Sequence, residues 1–201
     1  MRADRPALAL ALMLALAGCG EKSAPAQQSL VGDGPAPGAY AIAGDTLTVW
    51  KRVQQPDGAW RFHSWSITPG GAIEYLEELE KIGAPENPEE AQDFSEQRRS
   101  FTLPQAEFEA LRAQAALLRP PALGPEDPVG GYAGEVYPAG CSFDPSQPRL
   151  AGINYLNGKS WGNFALQAGC ASDKAREATA VMTQIFDRLD RATPPPKAPR
   201  R

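Results

Sequence analysis

The sequence predicts an α+β fold: an antiparallel sheet of about five to six short strands with two amphipathic helices packed on it. Two stretches, TLTVWKRV (Thr46–Val53) and WRFHSWSI (Trp60–Ile67), alternate and are rich in β-branched and aromatic residues, with Pro56-Asp57-Gly58 between them as a turn. A second pair of such runs, in RLAGINYLNGKSWGNFALQ, is joined by Asn157-Gly158, a strong short-range hairpin signal. Two further stretches, near residues 102–119 and 172–189, carry apolar residues at the three- and four-residue spacing of a helix. Helices on one face of such a sheet bury a two-layer core.

The chain opens with Arg2 and Arg5 and then an uncharged run, Ala7 to Ala17. That run is too short for a bilayer core, which needs roughly 20 residues. A basic start, a short apolar stretch and small residues before a cleavage point make a secretory signal peptide over residues 1–18. A buried amphipathic helix would instead show a polar residue every third or fourth position, and none occurs. Leu16-Ala17-Gly18-Cys19 resembles the lipobox of bacterial lipoproteins. The resemblance implies cleavage before Cys19, diacylglycerol on its thiol and acylation of the new amino group, so Cys19 is the expected lipid attachment point. Several chains hold a protein stably, since each buried CH₂ contributes about 0.8 kcal/mol and one chain binds only marginally. Residue 20 is glycine rather than aspartate, which in Gram-negative relatives favours the outer membrane, facing the periplasm. The resemblance covers these first 19 residues and implies nothing about the remaining fold.

Removing residues 1–18 takes Arg2, Asp4 and Arg5 with it and moves the net charge from −4 to −5. A mildly acidic chain without a Lys/Arg stripe argues against nucleic acid as a partner. With Cys19 lipidated, Cys141 and Cys170 remain, and an even pair in an oxidising compartment reads as a disulfide. Metal or redox work by this pair would need CxxC spacing or a nearby histidine, and the sequence has neither.

Residues 19–38 are Ala, Pro, Gly, Ser and Gln with scarcely an apolar cluster, and read as a flexible tether. A single domain is expected over 39–191. Within it, Thr68-Pro69-Gly70-Gly71 turns the chain into AIEYLEELE, read as a third strand through about Glu77. Residues 83–97 are acidic and proline-bearing and read as a solvated loop; they do not match the EF-hand pattern of a Ca²⁺ site. Thr102 and Gln105 match a capping box for a helix with Phe108, Leu111, Ala115 and Leu118 on one face, stopped by Pro120-Pro121. Residues 120–140 are dense in Pro and Gly and read as an ordered, irregular crossing. An Asn157-Gly158 turn sets Tyr155 opposite Ser160 and Asn154 opposite Trp161, and the two cysteines flank the hairpin. Ser172 caps a last helix whose stripe is Ala175, Ala178, Met182, Ile185 and Leu189. Residues 192–201 form a disordered, Pro-rich basic tail.

Two catalytic patterns cross the hairpin turn. Gly158-Lys159-Ser160-Trp161-Gly162 fits G-x-S-x-G, but a nucleophile elbow sits between a strand and a helix, with its histidine late in the chain. Here the only histidine is His63, so a hydrolase would need Ser160 and His63 to meet across the fold. Gly158-Lys159-Ser160 also matches the end of a P-loop, yet the required first glycine falls at Ile153 and no helix follows to receive phosphate. Nucleotide binding is therefore not expected, and no cofactor or metal motif stands out. His63 is read as structural.

Trp60 and Phe62 face one way on their strand, His63, Trp65 and Ile67 the other, so both sheet faces carry large apolar groups. The expectation is that helices cover both sets; Trp50, Trp60, Trp65 and His63 otherwise form a candidate binding surface. The expected function is a non-enzymatic, lipid-anchored envelope domain that binds a partner protein or a cell-wall component. The alternatives are a hydrolase using Ser160 and His63, or an inhibitor of a cell-wall hydrolase.

Overall fold

The computed structural model describes residues 28–32, 36, 42–80, 97–123 and 130–196. The expected signal peptide, Cys19, most of the expected tether, most of the expected acidic loop and the last residues of the expected tail lie outside these. Seven strands and two helices follow in the order β1 (Thr46–Gln54), β2 (Trp60–Ile67), β3 (Ala72–Glu80), β4 (Gln97–Thr102), α1 (Gln105–Ala116), β5 (Gly131–Val136), β6 (Arg149–Asn157), β7 (Ser160–Gln167) and α2 (Asp173–Ala192). They form one sheet of order β4-β3-β2-β1-β6-β7-β5. The fold is α+β as expected, but the sheet is larger than five to six strands and is mixed, because β5 runs parallel to β7 at one edge.

Both unforeseen strands are edges. QRRSFT and GYAGEV lack apolar alternation, since an edge strand can be short and polar on its solvent side. α1 lies between β4 and β5 and carries the chain from one edge of the sheet to the other, and the stretch from β5 to β7, which includes β6, returns β7 parallel to β5.

The helix-covered face of the sheet carries Leu47, Val49, Trp65, Ile67, Ile73, Tyr155, Ile153 and Phe164, all buried. Onto it pack Phe108, Leu111 and Ala115 of α1 and the full predicted stripe of α2. Ser172 caps α2 by accepting from the Ala175 amide at 3.0 Å. The capping box of α1 does not form: Pro104 is the cap residue, without a side-chain hydrogen bond. Leu30 is 5 % exposed and belongs to the core. Its amide donates to Leu117 O and its carbonyl accepts from Ala139 N. The folded part therefore includes residues 28–32, within the stretch read as tether. At the other end, Thr193 Oγ1 accepts from the Trp65 indole at 3.0 Å, so the first residue after α2 is also anchored.

Cys141 and Cys170 form a disulfide, with Cα atoms 5.9 Å apart, closing the open end of the β6–β7 hairpin. The hairpin turn itself lies one residue later than expected. Asn157 pairs with Ser160 and Asn154 with Asn163, leaving Gly158 and Lys159 as the loop. The reason is Asp45, fully buried, which accepts from Asn157 Nδ2 at 2.6 Å and from Arg119 Nε at 2.8 Å. That bond holds Asn157 in the strand and moves the turn onto Gly158, whose φ is +56°.

Candidate functional site

Cross-strand register assigns every strand residue to a face. Lys51 pairs with His63, and His63 with Glu77, all on the helix side; Trp50 pairs with Ser64 and Gly152, and Arg52 with Phe62, all on the other. The four residues of the expected binding surface are thereby divided. Trp65 is fully buried beneath Phe186 of α2, and His63 lies on the same side. Trp50 and Trp60 lie on the opposite face, half-buried. Neither helix packs there, so the expectation that helices cover both aromatic sets is corrected. Among the described residues both helices pack on one side and neither covers the second face.

On the helix side His63 belongs to a hydrogen-bonded chain. The Tyr75 hydroxyl donates to Glu77 Oε2 at 3.1 Å, so its oxygen accepts from His63 Nδ1 at 2.8 Å. Arg61 pairs with Glu77, and Arg99 approaches the same carboxylate at 3.5 Å while capping the tail at Pro194 O. Burial, and next the Lys51 ammonium, lower the His63 pKa. Burial and the adjacent Glu77 charge raise that of Tyr75. Burial pushes the Glu77 carboxyl up, but hydrogen bonds from Arg61 and Tyr75 outweigh this and leave it below its usual value. Every member is engaged with another, which is the pattern of a structural polar network.

Ser160 is at the other end of the sheet. The cross-strand row of His63 runs through Lys51 and Ala151 to Leu166, and six residues of β7 separate Leu166 from Ser160, roughly 20 Å at about 3.3 Å per residue. The Ser160 Oγ is buried and has no hydrogen-bond partner among the described residues. A Ser160–His63 hydrolase is therefore geometrically excluded in this fold.

The open face carries a different arrangement. The Trp50 indole reaches over Gly152 of β6, where a Cβ would come within 2.8 Å of Trp50 Cζ2. Only glycine lets the ring settle there. Phe62 stacks beside it at 6.1 Å. Toward the β7–β5 edge, Trp161 and Tyr132 stack at 4.1 Å and remain 45 % and 51 % exposed. Between these pairs the cross-strand neighbours Asn154 and Asn163 stand side by side, and neither side chain makes a hydrogen bond among the described residues. A groove of about 340 Å³ runs along Trp50, Arg52, Phe62 and the two asparagines to Glu135 and Arg149, which pair with one another at 2.9 Å. Aromatic walls with a few convergent polar groups are the usual makings of a binding site.

Sequence reasoning identified Trp50 and Trp60 but missed Trp161, Tyr132, Asn154 and Asn163. Tyr132 sits on a strand the sequence did not signal, and the one-residue error in the turn set Asn154 against Trp161. Among the described residues no helix is long and apolar enough to cross a membrane, and no group of three or more His, Cys, Asp or Glu could hold a metal ion. No protein-family model matches the chain, and no curated protein is significantly similar to it.

Proposed function

We propose that the protein is a lipid-anchored, non-enzymatic binding domain of the bacterial cell envelope, held at the outer membrane through Cys19 and facing the periplasm. The anchor rests on the lipobox resemblance of residues 16–19, and the Cys141–Cys170 disulfide accords with an oxidising compartment. The single observation that carries the binding role is the open sheet face: an indole reaching over Gly152, a second exposed aromatic pair, and two amides between them with no hydrogen-bond partner among the described residues. Solvent-facing aromatic rings on a sheet without covering helices mark an interaction surface. The partner is a protein or a cell-wall component of the envelope.

Cell fractionation tests the anchor: Cys19→Ser moves the protein from membranes to the soluble fraction, and continued membrane retention contradicts it. In-cell crosslinking followed by purification tests the binding role. It recovers a specific envelope partner that the Trp161→Ala variant loses; recovery of none, or an unchanged set, contradicts the reading.

A further inference from the structure

Resting on that reading, we infer that the open face takes a saccharide chain, laid diagonally across β1, β6 and β7. The geometry is an aromatic–amide–aromatic line. Trp50 shares a cross-strand row with Gly152 and Ala165, and Trp161 lies four residues along β7 from Ala165. Two strand spacings of about 4.8 Å and four residues at about 3.3 Å put the two Cα atoms roughly 16 Å apart, and the Trp50 ring reaches over β6 toward Trp161. Asn154 is on the middle strand and halfway along this line, with Asn163 beside it.

The chemistry of that line matches a sugar polymer. Pyranose rings present apolar C–H faces that pack on aromatic rings and equatorial hydroxyls that both donate and accept. Each asparagine amide offers two donors and an acceptor, so it can serve a hydroxyl pair from one side chain. Among the described residues neither the Asn154 nor the Asn163 side chain has a hydrogen-bond partner, and Asn163 is already half withdrawn from water. A ligand group that hydrogen-bonds there replaces water without leaving a buried group unpaired. Of the charged members of the groove, Glu135 and Arg149 neutralise each other and Arg52 is engaged in an interaction of its own, which disfavours a strongly anionic or cationic ligand. A helical peptide would need a continuous apolar trough, and the amide pair interrupts it.

The separation makes a length prediction. A disaccharide reaches one ring only, whereas a tetrasaccharide reaches both, and joining two weak contacts in one ligand raises affinity through effective concentration.

The test uses residues 19–201 carrying Cys19→Ser, produced without residues 1–18, titrated with β-1,4-linked N-acetylglucosamine oligomers from dimer to hexamer. Tryptophan fluorescence and NMR of the indole N–H and asparagine NH₂ groups are the readouts. The expected result is at least about tenfold tighter binding from dimer to tetramer, then a plateau, with shifts at Trp50, Trp161, Asn154 and Asn163. Trp161→Ala, at an exposed position, keeps the far-UV CD spectrum and melting temperature and loses the length step while retaining dimer binding. Asn163→Ala weakens every length. Shifts confined to the helix face, a flat length series, or no change with millimolar hexamer overturn the saccharide assignment. If the hexamer is silent but the open face still crosslinks an envelope protein in cells, only this assignment fails; if those crosslinks are also absent, the binding reading fails with it.

Discussion

Trp50 packs against Gly152, its ring filling the space a side chain on the neighbouring strand would occupy. The contact fixes the indole as part of the sheet surface and makes the open face of the molecule a shaped platform. A Cβ at residue 152 would press on both Trp50 Cζ2, at 2.8 Å, and the Phe164 carbonyl oxygen. Gly152→Ala therefore lowers stability by about 1–3 kcal/mol and lifts the indole off the strand. Urea denaturation reads the first effect and the wavelength of tryptophan emission the second. An unchanged midpoint with an unchanged spectrum contradicts the packing described.

Asp45 anchors the opposite end of the sheet. It is fully buried and accepts from Arg119 and Asn157, while Arg112 donates to its backbone carbonyl at 3.2 Å. Asp45→Ala leaves the Arg119 guanidinium buried without its counter-charge, at a cost of about 3–5 kcal/mol. Chemical denaturation should show a loss of that size, far above that of an exposed carboxylate such as Asp57.

The Cys141–Cys170 bond closes a loop with a sequence separation of 29. On the chain-entropy account its removal in a Cys141→Ser, Cys170→Ser variant costs roughly 3–4 kcal/mol. Because the bond also sits beside Ser172, the cap of α2, amide hydrogen exchange should accelerate first in the hairpin ends and the first turn of α2.

His63 gives stability a pH dependence of known sign. Burial and the Lys51 charge hold its folded pKa below the ordinary 6.5. The folded protein therefore binds fewer protons than the unfolded chain in the window between that lowered value and about 6.5. Stability falls as pH drops through the window and is fully present above it. As the only histidine, His63 can be followed alone by NMR, titrating below 6.5. His63→Gln flattens the stability profile in that window, and a profile as steep as that of the wild type contradicts the account.

Much of this fold is legible in the residues themselves. Period-two alternation assigned Trp60 and Phe62 to one face and Trp65 and Ile67 to the other, and the α2 stripe is buried as its spacing predicts. What alternation could not decide is which face the helices take, since Trp50 and Trp65 are equally apolar by sequence. Buried charge was equally opaque: nothing local marks Asp45, yet its bond to Asn157 sets the hairpin register. The resulting shift is what brings Asn154 beside Asn163 and separates it from Trp161. The edge strands β4 and β5 are polar or glycine-rich, and their pairing comes from neighbours rather than from their own propensities.

The central claim, that the open sheet face is where the protein meets its partner, is tested most directly by site-specific photocrosslinking in intact cells. A benzophenone amino acid is placed at Leu156, the exposed cross-strand neighbour of Trp161 on the open face, or at Ala180 on the exposed side of α2. The account predicts discrete adducts from position 156 and none from 180. Adducts from position 180 with none from the open face would contradict it.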